Sequence, residues 1–244
     1  MLDAELNPPG VVRIKADNPS PLTLAGTNSY LIDGWVIDPG PAEHAHLDAL
    51  LEVAGGRLQG IVVTHSHADH AEAAQPLADR AGGVPVILPA DGDRVGPLRA
   101  LATPGHADDH VCLLAGKVCF TGDTVLGHGS AFIAPGEGSL AAYLDSLRRL
   151  RALALDVICP GHGPYVWDPS AKLDEYLEHR LERERMLLEA LDDGVRGEDD
   201  LLDRAWADVS EALRPAAALT LRAHLEKLDE EGRLPSGLGR ELVR

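Results

Sequence analysis

The seven residues Thr64-His65-Ser66-His67-Ala68-Asp69-His70 hold three imidazoles and a carboxylate in a short stretch of chain. All four are good ligands for a borderline metal ion, and the cluster reads as half of a two-zinc site. Three later places supply the missing ligands: His106 in Thr103-Pro104-Gly105-His106, Asp123 in Thr121-Gly122-Asp123-Thr124, and His162 in Cys159-Pro160-Gly161-His162-Gly163. Five neutral histidines and two aspartates bring a charge of about −2 against +4 from two zinc ions, and a bridging hydroxide leaves about +1. A centre of that charge makes hydroxide at neutral pH and attracts electron-rich carbonyls or phosphates. A structural zinc site would be closed and rich in cysteine, whereas none of Cys112, Cys119 and Cys159 lies in a Cys-x-x-Cys pair.

The elements that must position these residues are legible around them. Gly60-Ile61-Val62-Val63, Val118-Cys119-Phe120 and Asp156-Val157-Ile158 are short apolar runs ahead of candidate ligands, and they read as buried strands. A strand end is a rigid mount for chemistry. Ser29 to Ile32 and Trp35 to Asp38 pair across Asp33-Gly34, a type I′ hairpin signal. His44 to Ala54 has helical spacing with His46, Leu47 and Leu50 on one side, which makes His44 and His46 helix residues rather than ligands. A second helix is expected over Ala71 to Ala81, a strand over Val84 to Leu88, and a hairpin of Val111 to Leu114 with Lys117 to Phe120. Ser139 is placed to cap a helix running to about Ala152.

The ordered series His-x-His-x-Asp-His, Gly-His, Gly-Asp and Gly-His resembles the signature of the metallo-β-lactamase superfamily, over roughly residues 11 to 168. The resemblance implies an α/β fold, a four-layer αββα sandwich, for residues 1–168. It also implies a division of labour in which His65, His67 and His106 hold one zinc, Asp69, His70 and His162 the other, and Asp123 bridges them. Two Zn2+ per chain are the implied cofactor, with Mn2+ or Fe2+ as alternatives. Asp38 would support the metal loop, although a turn-forming Asp-Pro-Gly accounts for it almost as well. Relatives carry a longer connection ahead of His106, holding extra strands. Here Ala90 to Ala100 is brief, and a lower pocket wall is expected on that side.

From about Pro169 the chain turns into charged helix, and residues 169–244 are expected to form a second, mainly helical domain. Ser170 to Leu191 is amphipathic through Leu173, Leu177, Leu181, Met186, Leu188 and Leu191, and Glu198 to Trp206 and Ala216 to Gly232 look like further helices. Their Gly- and Pro-containing tail resembles a winged-helix appendage. With the Asn18 to Asn28 opening and Thr-Pro-Gly-His-Ala-Asp-Asp-His at 103–110, it is similar to the β-lactamase-like protein 2 family.

Charge bears on partners. The formal net charge is −17, and residues 171–244 alone carry 12 Lys/Arg against 19 Asp/Glu. Nucleic-acid binders display a basic footprint, and a recognition helix at Leu219 to Glu231 would set Arg222 and Lys227 against Glu226, Asp229, Glu230 and Glu231. The C-terminal domain is therefore expected to lid the pocket or mediate a homodimer rather than bind DNA. Met1 to Pro9 has neither a basic nor an apolar signal region, and no run approaches membrane-spanning length. A cytoplasmic protein with reduced thiols and no membrane partner is expected.

The expected activity is that of a dinuclear zinc hydrolase using a metal-bridging hydroxide on an acyl bond, an ester, thioester or lactam, of a small-molecule substrate. The alternative, implied by the β-lactamase-like protein 2 resemblance and disfavoured by charge, is cleavage of single-stranded RNA. Asp69 and Asp123 would accept or relay a proton. His110, one helical turn past His106, and His128, in Leu126-Gly127-His128-Gly129-Ser130, are candidates to protonate the leaving group or bind an oxyanion. A strand-start or loop histidine without a catalytic part is the competing account of each.

Overall fold

Short β-branched and apolar runs build two five-stranded sheets in the computed structural model, which describes residues 7–235. One sheet runs in the order β1 (Val11–Lys15), β2 (Asn28–Ile32), β3 (Trp35–Ile37), β4 (Gly60–Val62), β5 (Val86–Ile87). The other comprises β6 (Arg94–Val95), β7 (Leu98–Ala102), β8 (Val111–Ala115), β9 (Val118–Gly122) and β10 (Val157–Pro160), with β6 and β10 at opposite edges. β4 pairs in parallel with both its neighbours and all three of its residues are buried, the pattern of a strand covered on both faces. The β2–β3 turn has Asp33 at φ 47° and Gly34 at φ 79°, as a type I′ hairpin requires.

Between the sheets, Tyr30, Ile37 and Val62 meet Val111, Leu113 and Phe120, with the Tyr30 and Phe120 rings 5.2 Å apart. Outside the first sheet lie α1 (His44–Ala54), α2 (Ala68–Ala71) and α3 (Ala74–Arg80), which pack Leu47, Leu50 and Leu77 on Val36, Ile61 and Val63. Outside the second lie α4 (Leu140–Arg151) and α5 (Pro169–Asp192), which pack Leu144, Leu147, Leu173 and Tyr176 on Cys112, Cys119 and Ile158. These are the four layers of an αββα sandwich. Ser139 caps α4, accepting the Ala142 amide at 3.4 Å, and all three cysteines are buried free thiols.

Two elements differ from expectation. The helix expected over Ala71 to Ala81 is split into α2 and α3, because the Ala73 amide donates to Gly40 O at 3.0 Å instead of continuing the helical ladder. Asp69 and His70 consequently lie in a helical turn of their own rather than on a loop. The brief segment Ala90 to Ala100 does hold extra strands: β6 and β7 form a hairpin with Arg94 opposite Arg99 and Val95 opposite Leu98. It packs on Trp35, to the point that a Cβ at Gly96 would meet the indole nitrogen at 2.2 Å. None of its residues lines the cavity described below.

The C-terminal unit adds α6 (Glu198–Ala205) and α7 (Arg214–Glu230) around Leu187, Leu191, Leu201, Trp206, Leu221 and Leu225. The two cations expected on a recognition helix are both engaged: Arg222 with Glu198 and Lys227 with Glu184, each at 2.7 Å. The beginning of the Met1 to Pro9 stretch and residues 236–244 of the expected second domain lie outside the described residues. Among the described residues no helix is long and apolar enough to cross a membrane.

His224 on α7 is fully buried, edge-on to Trp206, with no hydrogen-bond partner on either ring nitrogen. Burial, then the nearby Arg180 and Lys227 charges, pull its pKa well below 6.5. The unfolded chain titrates this histidine at about 6.5. Below that pH the unfolded state binds a proton that the native state refuses, so stability falls with pH by up to about 1.4 kcal/mol per unit. His224→Phe is expected to flatten the decline of melting temperature between about pH 6.5 and pH 5. A decline as steep as that of the parent chain would assign the acid sensitivity elsewhere.

Candidate metal centre

The loop after β4 and the turn α2 bring His65, His67, Asp69 and His70 against residues that follow the second sheet's strands. His65 Nε2 and His106 Nε2 each lie 3.0 Å from His67 Nδ1. Beside them, His162 Nε2 is 3.2 Å from Asp69 Oδ2 and 3.3 Å from Asp123 Oδ1, and His70 Nε2 is also 3.3 Å from Asp123 Oδ1. The other Asp123 oxygen, Oδ2, is 3.6 Å from His106 Nε2. The ligand atoms thus form two groups, His65/His67/His106 and Asp69/His70/Asp123/His162, each spanning no more than 4.8 Å. Asp123 offers one oxygen to each.

The far nitrogens fix how the rings face. Thr64 Oγ1 donates to Asp38 Oδ2 at 2.8 Å, so it accepts from His65 Nδ1 at 3.0 Å and leaves the His65 Nε2 lone pair pointing inward. His70 Nδ1 is held by Asp38 Oδ2 at 2.9 Å and His106 Nδ1 by Phe132 O at 3.0 Å. Outer partners of this kind set the tautomer that presents a lone pair to a metal. His70 Nε2 and Asp123 Oδ1 are buried without a hydrogen bond although they face one another, as atoms awaiting a shared cation would be.

Electrostatics point the same way. Burial alone would raise the Asp123 pKa and lower those of His70 and His162. The surrounding opposite charges win: Asp123 is held well below the carboxylate range by His162 and His70, while Asp123 lifts His162 to about 9 and, with Asp38, raises His70 well above 6.5. The pocket stabilises positive charge. Burial holds His65 and His106 below 6.5, which keeps their nitrogens free to ligate. Imidazoles, carboxylates, orphaned buried atoms and stabilised positive charge together fit divalent metal ions.

Asp38 sits beneath both groups. Buried and at φ 49°, it accepts from the Thr64 amide at 2.7 Å as well as from the Thr64 hydroxyl and His70. Gly161 leaves room on the other side, since a Cβ there would lie 2.6 Å from His70 Cε1 and 2.8 Å from Asp123 Oδ1. Gly161→Ala is expected to displace one or both ligands and weaken metal binding by about 10- to 100-fold, as losing outer support does. A chelator-competition titration measures it, and unchanged affinity would mean that the site yields at no cost.

The metallo-β-lactamase superfamily pattern matches residues 22–99 and 87–162, and the β-lactamase-associated winged-helix domain matches residues 198–236. The chain belongs to the metallo-β-lactamase superfamily. Members of this superfamily are generally hydrolases and bind divalent metals. The chain is 36% identical to lactamase-like protein nscB of Trichophyton rubrum over 78% of its own length, and spans 65% of that relative, just under two thirds. It is 31% identical to the β-lactamase-like protein 2 homologue of Caenorhabditis elegans, over 91% of this chain and 85% of the relative. A metallo-β-lactamase family protein of Thermus thermophilus superposes with a TM-score of 0.72 at 26% identity, covering 92% of this chain and 94% of the other. Another solved structure, described as a di-iron-bound form, aligns at a TM-score of 0.53 and 28% identity, over 69% of this chain and 97% of its own.

In this superfamily member the ligand groups open into a cavity of about 560 Å³, whose far side is formed by α5, α7 and the residues between α6 and α7. The two histidines expected from sequence to take a catalytic part, His110 and His128, separate sharply. His128 is exposed on the cavity wall. His110 is buried and absent from that wall: its Nε2 accepts the Asp123 amide at 3.2 Å and its Nδ1 faces the Thr103 and Thr124 hydroxyls at 3.0 and 3.2 Å. His46 is buried against Ser29 Oγ at 2.9 Å, and His44 is exposed on α1. The wall residues Tyr176, His179 and Arg180 belong to no sequence motif, and Trp206 stands in the sequence only as the end of a helix. Spacing carried a signal, since Tyr176, Arg180, Arg183 and Leu187 recur at four, three and four residues.

Proposed function

We propose that this protein is a dinuclear divalent-metal hydrolase that cleaves an acyl bond, an ester, thioester or lactam, of a small molecule. The observation that carries this reading is Asp123, which turns one carboxylate oxygen to each of two ligand groups at the foot of a largely apolar cavity. His65, His67 and His106 would hold one ion, Asp69, His70 and His162 the other, and Asp123 both. Imidazole and carboxylate donors suit zinc first, with iron or manganese as alternatives. Bound ions supply a water of lowered pKa and polarise the scissile carbonyl. Asp69, partly open to the cavity, accepts and relays a proton. His128 is placed to protonate the leaving group or to bind the developing oxyanion. His110 acts through Asp123, fixing the backbone that carries it.

Single-stranded RNA cleavage is the second reading, favoured by 31% identity to a β-lactamase-like protein 2 homologue over most of both chains. Against it stand a net charge of −17 and an α7 whose Arg222 and Lys227 are already paired with carboxylates. Metal-analysed protein incubated with a chromogenic ester and thioester panel, a β-lactam reporter and a labelled single-stranded RNA decides between them, with Asp69→Ala as the blank. Acyl turnover lost in the blank, with RNA intact, is the expected result. RNA cleavage lost in the same blank would replace the acyl reading.

A further inference from the structure

Arg180, on α5, is 2% exposed and lines the cavity, yet among the described residues no carboxylate lies within ion-pair distance of it. Its partners are neutral: Nη2 donates to Ser130 Oγ at 2.9 Å and to the Ala131 carbonyl, the guanidinium lies over the Tyr143 ring, and the Nε–H has no acceptor. The other buried cations are treated differently. Arg183 is paired with Asp208 and Lys227 with Glu184. A guanidinium cannot shed its proton, and a buried charge left uncompensated is costly. The missing negative charge is one that the described residues do not provide.

A second donor stands next to it. His179 Nε2 accepts from Arg183 Nε at 3.2 Å, so its proton is on Nδ1, which is also buried without a partner. Burial, reinforced by the two neighbouring arginines, holds this ring's pKa down to about 4, which keeps the ring uncharged at neutral pH. The same cavity reaches Asp69 and Asp123, and much of its surface is apolar, including Leu22, Leu126, Phe132 and Trp206.

We propose that Arg180, flanked by His179, binds an anionic group of the substrate, a carboxylate or phosphate monoester, carried on an apolar body away from the bond that is cleaved. The inference deepens the hydrolase reading of the same cavity and rests on it for the word substrate. Polynucleotides are bound along grooves of several cations and stacking rings. Here one uncompensated cation stands in a wall that Glu175 and Asp208 also line, which favours a small acid.

Calorimetric titration of the metal-loaded full chain with 4-phenylbutyrate, phenethyl phosphate and the neutral 4-phenylbutanamide tests this. An anion is expected to bind about ten- to a hundredfold more tightly than the amide, the range of one charged hydrogen bond. Whichever of the two acids binds more tightly names the group. Arg180→Met, checked for unchanged metal content and melting, is expected to lose the preference, because an anion resting on the metal ions would keep it. Should that variant not fold, Arg180→Lys retains the charge without the planar fork and is expected to keep only part of the preference. Equal binding of acid and amide by the parent chain, or full preference in either variant, would overturn the proposal. So would displacement of the acid by a stoichiometric single-stranded RNA oligonucleotide. No turnover is measured, so failure of the hydrolase panel leaves this result standing, and the reverse holds too.

Discussion

Asp123→Asn is expected to halve the bound metal, from two equivalents per chain to one, and to lower turnover by more than the roughly 10²- to 10³-fold cost of one lost oxyanion donor. The substitution preserves shape and removes a single charge. Asp123 is the carboxylate that faces His70 and His162 through one oxygen and His106 through the other. Two divalent ions bring four positive charges, and the seven candidate ligands carry only two negative ones, on Asp69 and Asp123. With Asp123 neutral, one formal charge remains to hold both ions. Elemental analysis after gel filtration, paired with turnover on the best acyl substrate, reads the outcome. Two retained equivalents with undiminished turnover would remove Asp123 from the centre.

Asp38→Ala is expected to cost several kcal/mol of stability and about 10- to 100-fold in metal affinity. Three buried donors, the Thr64 amide, the Thr64 hydroxyl and His70 Nδ1, converge on Asp38, and each one stranded costs about 1–3 kcal/mol. The loss then spreads inward. Thr64 is no longer fixed as the acceptor for His65 Nδ1, and His70 is free to rotate, so one ligand from each group loses its orientation. Asp38→Asn separates charge from geometry, because asparagine tolerates the positive φ of 49° and should fall between the two. Melting and chelator competition, measured on both variants, supply the comparison. Native-like values for alanine would reduce Asp38 to a turn residue.

Four of the seven candidate ligands were legible because they fall within six residues of one another, and the other three because each directly follows a glycine at a strand-to-loop junction. The Asp33-Gly34 turn and the Ser139 cap were legible for a similar reason, since each depends on a side chain's effect on its own backbone. What escaped depends on distant partners. The break between α2 and α3 is made by the Gly40 carbonyl, and nothing in the composition of Ala71 to Ala81 announces it. The role of His110 depends on where β9 delivers the Asp123 amide. On α5 the leucines give the sequence its amphipathic pattern, yet Leu181 is 48% exposed while Arg180 and Arg183 are buried. Counting apolar residues hid the polar ones that share their face.

α5 is a single helix from Pro169 to Asp192, its first half anchored beneath the second sheet through Leu173 and Tyr176 and its second half in the C-terminal cluster through Leu187 and Leu191. The groups that would perform the chemistry all come from chain before residue 163, whereas much of the opposing wall comes from chain after residue 174. Reactivity and selectivity are therefore inherited from separate stretches joined by one rod. Substitutions on α5 and α7 can retune which molecules are admitted while the ligand set is left untouched, and a lineage of such proteins can diversify its diet without reinventing its teeth.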